Sequence, residues 1–131
     1  MQQYKYLIIG GGVASITAAE TLRQNDKDSR IGIVCDEPHL FYSRIMLSKP
    51  NFFFGKIPFE QIWLRKKEWY AQNKIELISG NLATKLDASA KNITLSNGQI
   101  LQYEKLLLAT GGEARSWSLP GVDKAGICYV R

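Results

Sequence analysis

The sequence predicts an α/β fold: a parallel sheet with at least one crossover helix, plus a three-stranded antiparallel β meander. Three observations predict it. A β-prone run at residues 4–9 feeds into Gly10-Gly11-Gly12 and then into a helix-forming stretch. A second β-prone run at residues 31–35 completes a strand–helix–strand unit, which fits a right-handed crossover between parallel strands. The second half of the chain carries short strand-like runs broken by turn residues.

Each element follows from local pattern. Residues 4–9 form the first strand. Residues 13–24 read as a helix, with Ala14, Ala18 and Leu22 at i, i+4 and i+8 making its packing face. Asn25-Asp26-Lys27-Asp28-Ser29 is a polar loop. Residues 31–35 are the second strand, ended by Asp36-Glu37-Pro38. Residues 38–58 are irregular, with prolines at 38, 50 and 58 and many aromatics. Residues 59–73 read as one helix: Phe59, Ile62, Trp63, Lys66, Trp69 and Tyr70 share a stripe, and those aromatics are core. Residues 75–78 form a short strand. Residues 82–86, 92–96 and 99–103 are the meander. Asn97-Gly98 is a two-residue hairpin turn, where both central positions want positive φ. Residues 105–109 are a continuous apolar run, the mark of a strand buried on both faces, and Thr110-Gly111-Gly112 ends it.

Composition narrows the function classes. The 131 residues suffice for one domain with a core, and 45% apolar with 22% charged residues is ordinary for a globular protein. No apolar run approaches a membrane span, and Leu7-Ile8-Ile9 is too short for a secretory signal, so the cytoplasm is the expected location. Cys35 and Cys128 form no paired motif and read as reduced, buried thiols. A single histidine, His39, leaves too few parts for a metal cluster or a Ser-His-Asp system. Any chemistry therefore needs an organic cofactor. The net charge of +5 is scattered apart from Arg65-Lys66-Lys67, so there is no nucleic-acid stripe. A basic face could steer an acidic partner.

The chemistry-bearing motif is Gly10-x-Gly12-x-x-Ser15, between a strand and a helix. Gly10 allows the tight turn, and Gly12 lets the backbone approach a pyrophosphate. The amides opening the helix, at Val13 and Ala14, offer free N–H groups and a partial positive charge. Ser15 stands where the pattern has a third glycine, a mild departure. Asp36-Glu37 ends the second strand, where a carboxylate binds an unphosphorylated ribose. Together these features predict a dinucleotide site, without separating NAD from FAD.

A resemblance separates them. The segment from Asp36 through Tyr42-Ser43-Arg44-Ile45-Met46-Leu47-Ser48-Lys49 resembles an acid followed by Tyr-x-Arg-x-x-Leu-Ser-Lys. That pattern belongs to the FAD-dependent pyridine nucleotide-disulfide oxidoreductase superfamily. Within it, the nearest group is the ferredoxin and rubredoxin reductases and apoptosis-inducing-factor-like proteins. Tyr103 to Arg115, containing Ala109-Thr110-Gly111, is similar to the strand near the end of that family's first FAD segment. Leu119-Pro120-Gly121-Val122-Asp123 resembles the stretch that the family carries just beyond that strand. The resemblance implies a Rossmann-like FAD-binding domain. It implies Gly10, Gly12 and the helix amides at the pyrophosphate, Asp36 on the ribose with Glu37 next in line, and Arg44 near the phosphates and ribityl chain. It implies Lys49 as the catalytic residue beside the flavin ring, Ala83 at the adenine, and Ala109, Thr110, Gly111 and Arg115 at the turn over the pyrophosphate.

The family's disulfide-reducing members carry a cysteine pair just after the second strand; residues 38–50 contain no cysteine. That absence points to direct electron transfer from flavin to a partner. The implied activity is NAD(P)H oxidation through FAD, with electrons passed to a small redox protein such as rubredoxin or ferredoxin. The family's full chain is much longer, with a separate NAD(P)-binding domain and a returning C-terminal segment. Neither occurs here, so residues 1–131 read as the N-terminal segment of an incomplete FAD-binding domain: a fragment, or a half-size protein completed by another chain. The apolar surface so exposed predicts self-association. Two rival roles are a non-catalytic dinucleotide-binding module or sensor, and a structural role with FAD retained for folding or signalling.

Overall fold

The structure, a computed structural model, describes residues 2–129. Its spine is strand β1 (Gln2–Ile9), followed by helix α1 (Val13–Asn25) and strand β2 (Ile31–Val34). Short helices α2 (Pro50–Phe53) and α3 (Lys67–Gln72) precede β3 (Ile75–Ile78), β4 (Ala83–Asp87), β5 (Asn92–Leu95) and β6 (Ile100–Leu108). The strands form one six-stranded sheet in the order β3-β2-β1-β6-β5-β4. β1 pairs in parallel with β2 and β6, and β2 with β3; β4-β5 and β5-β6 are antiparallel. The α/β reading with a crossover helix and a meander is thus the observed architecture.

Two apolar clusters hold the sheet, one on each face. On the helix face, Ile8, Ile31, Ile33 and Ile75 pack with Ile16 and Ala19 of α1 and with Phe41 and Tyr70. On the other face, Tyr4, Leu7 and Val34 meet Ile93, Leu95, Leu101 and Tyr103 of the meander. Each fully buried isoleucine or leucine contributes about 1.5–3 kcal/mol through lost water contact. Tyr4 and Leu7 share a face although three residues apart. The amides of Lys5 and Tyr6 both donate to the Arg30 carbonyl, each at 3.2 Å, which marks a local irregularity in β1.

Several elements differ from the sequence reading. The buried face of α1 is Ser15, Ile16, Ala19 and Arg23, not Ala14, Ala18 and Leu22. The helix is rolled to set Ile16, its bulkiest apolar residue beside Leu22, against the sheet. Ala18 and Leu22 are partly buried against that core, and with Ala14 they line an open apolar groove of about 730 Å³, shared with Tyr6, Ile8 and Leu107.

The long helix at 59–73 does not form. Residues Phe59–Ile62 make a 3₁₀ turn, and α3 begins only at Lys67. The residues between leave the helical path because they pair with another segment: the Leu64 amide donates to the Phe41 carbonyl (2.8 Å) and the Ser43 amide to that of Ile62 (2.8 Å). Tertiary pairing overrides the helical stripe.

The meander's third strand and the apolar run at 105–109 are one strand, β6, antiparallel to β5 at its start and parallel to β1 throughout. The run is not buried on both faces, since Leu107 and Leu108 are 41% and 58% exposed. Nor is the hairpin a two-residue turn. The Gly98 amide donates to the Leu95 carbonyl and only Gly98 has positive φ (82°), so Ser96-Asn97-Gly98 is a three-residue loop. Of the two free cysteines, Cys35 is buried as expected, but Cys128 is exposed because the tail that carries it packs little.

Candidate functional site

The site lies where β1, β2 and β6 end together. The Ala109 amide donates to the Ile9 carbonyl (2.8 Å) and the Gly10 amide to that of Val34 (2.8 Å). A cleft of about 930 Å³ opens beyond the carboxyl ends of these strands, where open α/β sheets bind ligands.

Its floor is the glycine turn. Gly10 has φ +129°, and a Cβ there would run into the Ala109 carbonyl oxygen and lie 2.6 Å from its carbon. The turn can therefore pass close to β6 only with glycine. At Gly12 a Cβ would meet nothing within 4 Å, so the backbone there faces open space. Gly12 caps α1 in an extended conformation, with no side-chain capping bond and no acidic residue in the first turn. The first amides of the helix and its partial positive charge are thus left for an anion.

Asp36 and Glu37 follow β2 in a bend. The Asn81 amide donates to the Cys35 carbonyl and the Gly80 amide to that of Glu37, each at 3.1 Å. Asp36 is exposed and lines the cleft. Glu37 is half-buried and accepts from the Tyr42 hydroxyl (2.7 Å) and from Arg44, with which it forms an ion pair. The Arg44 Nη1 also donates to the Tyr42 hydroxyl (3.2 Å), and the guanidinium lies 5.2 Å from that ring's centroid. The hydrogen bond to Glu37 raises the Arg44 pKa further. Burial first, and then the bond to Glu37, push the Tyr42 hydroxyl up. Arg44 is a fixed cation in the wall.

Ten of the residues expected at the site line this one cleft: Gly10, Gly12, Val13, Ala14, Asp36, Arg44, Ala83, Ala109, Thr110 and Gly111. Glu37, Lys49 and Arg115 lie outside its lining. Lys49 is exposed just after the 3₁₀ turn Arg44–Ser48, and Arg115 is exposed on the tail. The cleft also includes Tyr42, Leu64, Asn81 and Glu113, to which sequence reasoning assigned no role. Tyr42 had a signal, standing two places before Arg44 in the Tyr-x-Arg pattern. Leu64 and Asn81 had none, because pairing with Phe41 and Cys35 across long sequence gaps brings them in.

Cys35 also borders the cleft, beneath Gly11. Burial pushes its thiol up, so it stays protonated and is no nucleophile. Among the described residues, no helix is long and apolar enough to cross a membrane.

The chain is similar to known proteins. The chlorobenzene dioxygenase ferredoxin reductase component of Cupriavidus sp. (strain PS12) is 36% identical over 124 residues, covering 95% of this chain and 30% of that protein. The ferredoxin–NAD(+) reductase subunit of the benzene 1,2-dioxygenase system of Pseudomonas putida is 38% identical over 126 residues, covering 95% and 30%. Among solved structures, the covalent putidaredoxin reductase–putidaredoxin complex is similar with a TM-score of 0.82 at 31% identity, covering 95% of this chain and 29% of that one. The chain spans about 30% of the length of the two curated relatives. The family profile for pyridine nucleotide-disulphide oxidoreductases matches residues 4–131, and the chain belongs to that family.

Proposed function

We propose that this chain is the FAD-binding N-terminal segment of an NAD(P)H-dependent flavoprotein oxidoreductase. The parent enzyme passes electrons from NAD(P)H through FAD to a small redox protein such as rubredoxin or ferredoxin. The observation that carries the reading is the cleft itself. It combines an uncapped helix N-terminus, a carboxylate at Asp36 and a cation at Arg44 at the ends of three adjacent strands.

These residues fit the cofactor. Its pyrophosphate suits the open backbone at Gly12 and the amides of Val13 and Ala14. Asp36 suits a ribose diol, and Arg44 suits phosphate oxygens. Ala83 for the adenine and Ala109-Thr110-Gly111 at the turn over the pyrophosphate are given these roles by family resemblance, and all four line the cleft. When bound, FAD accepts a hydride and releases single electrons. Lys49 supplies a cation for the flavin end, and Arg115 a second contact for the phosphates, both by family resemblance. The protonated Cys35 leaves no thiolate to divert electrons into disulfide chemistry.

The NAD(P)-binding domain belongs to the remaining length that the relatives have and this chain does not span. The partner is a small acidic electron carrier, steered by the chain's net charge of +5. That reading is supported by the putidaredoxin bound in the similar reductase complex. The compartment is the cytoplasm. The open groove along Ala14, Ala18 and Leu22 makes self-association of the isolated segment an expected behaviour.

The test is the visible absorbance spectrum of the full-length protein, with and without added FAD. A structured, shifted flavin band that bleaches with NADH or NADPH supports the reading. A colourless protein that binds NAD instead overturns it in favour of a nucleotide sensor.

A further inference from the structure

We propose that Glu37 is not a ligand of the nucleotide but the positioning residue for Arg44, and that the nucleotide's ribose is read by Asp36 alone. The inference rests on the FAD reading above and deepens it.

Two adjacent carboxylates follow β2, and the family resemblance puts Asp36 on the ribose with Glu37 next in line. The surroundings of the two side chains separate their roles. Residues 35–37 are tied to the segment after β3, from which Cys35 and Glu37 both accept amides. Asp36 lines the cleft and Glu37 does not. Glu37 instead sits behind two residues that do line it, Tyr42 and Arg44. Its two oxygens are engaged separately, Oε2 by the Tyr42 hydroxyl at 2.7 Å and Oε1 by Arg44 Nη2.

This arrangement fixes the guanidinium from one side. Arg44 uses donors of both terminal nitrogens on Glu37 and Tyr42. A guanidinium has five N–H groups, so others remain for an anion in the cleft. Tyr42 is itself braced by the Phe59 ring at 5.1 Å and by a backbone bridge to Trp63. A long, flexible arginine is thereby held in one geometry before the phosphates arrive, which lowers the entropy cost of binding them. Opening the pair to engage the ribose would leave Arg44 and the Tyr42 hydroxyl short of a partner.

The test is a double-mutant cycle on FAD affinity in the full-length protein, measured by quenching of flavin fluorescence on titrating apoprotein. Glu37→Gln is expected to weaken FAD binding about tenfold in the wild-type background and less than about twofold in the Arg44→Gln background. Asp36→Asn is expected to weaken binding by the same factor in both backgrounds. Asp36→Asn also abolishes the preference for FAD over its adenosine 2′-deoxy analogue, whereas Glu37→Gln retains it. The thermal midpoint of apoprotein is read for every variant, so that a general loss of folding is seen separately. If Glu37→Gln costs the same with and without Arg44, or erases the ribose preference, Glu37 is a direct ligand and the proposal is overturned. If the wild-type protein binds no FAD, the site reading itself fails, and the proposal falls with it.

Discussion

Gly10 rests against the carbonyl of Ala109, 99 residues further along the chain, so closely that no side chain fits between them. The contact joins the turn after β1 to the end of β6 and sets the floor of the cleft. Gly10→Ala adds a methyl against backbone at φ +129°, where an L-residue is strained whatever the space. It is expected to cost about 2–4 kcal/mol of stability and to abolish flavin binding. Urea denaturation followed by tryptophan fluorescence reads the first, and flavin absorbance the second.

Ser15 is fully buried and its hydroxyl has no hydrogen-bond partner among the described residues. It occupies the third position of the glycine motif, where α1 packs closest to the sheet. Ser15→Ala removes a buried polar atom that nothing compensates, at little change in volume. It is expected to stabilise the chain by about 1 kcal/mol. A higher urea midpoint with an unchanged slope checks this.

Arg23 is 7% exposed and donates to four carbonyls: those of Asn73 (2.7 Å), Asp26 (2.9 Å), Ser29 (2.9 Å) and Lys74 (3.0 Å). It ties the end of α1 to the loop before β2 and to the turn between α3 and β3. Arg23→Ala leaves those acceptors without their donor and is expected to cost about 3 kcal/mol. Arg23→Lys cannot reproduce the planar fork and recovers less than half of that. Denaturant titration of both variants decides.

Asp26 accepts from Lys5 (2.8 Å), from the Ser29 hydroxyl (2.6 Å) and from the Ser29 amide (3.0 Å). The bond from Lys5, then those from Ser29, hold its carboxyl well below the usual carboxylate range. A depressed folded value means the stabilisation is present above the unfolded value of about 3.9 and is lost as pH falls through the folded one. Asp26→Asn should therefore lower the thermal midpoint at neutral pH. Its deficit against wild type should shrink as the pH falls below about 4. A deficit constant from pH 7 to pH 2 would contradict the assignment.

Cys35 is buried with a raised pKa, while Cys128 is exposed. One thiol per chain should react quickly with an aromatic disulfide reagent at pH 8, and Cys128→Ser should remove that phase. Cys35 should react only as the chain unfolds.

Much of this protein was written in local pattern. The strand–glycine–helix–strand unit was legible because Tyr4 to Ile9 and Ile31 to Val34 are β-prone and the glycines between them permit one sharp turn. Arg44 and Asp36 were legible because their spacing from the end of β2 is short and carries a recognisable order of residue types. What failed was whatever depends on partners distant in sequence. The stripe from Phe59 to Tyr70 has helical spacing, yet residues near Leu64 are drawn into pairing with Phe41 and Ser43. Leu107 and Leu108 have the composition of a doubly covered strand, yet one flank of β6 stays open beside the groove along α1.

By itself, the sequence determined the fold class and the chemical inventory of the cleft, since turn geometry, strand propensity and charge type are properties of neighbouring residues. Only the tertiary structure decided which of the adjacent carboxylates, Asp36 or Glu37, faces the cleft. That choice depends on the backbone bonds that residues 35–37 make with the segment after β3, and on where Tyr42 and Arg44 come to lie. The first is a long-range fact that no local pattern contains, and the second depends on how the irregular segment after β2 folds back over five to seven residues.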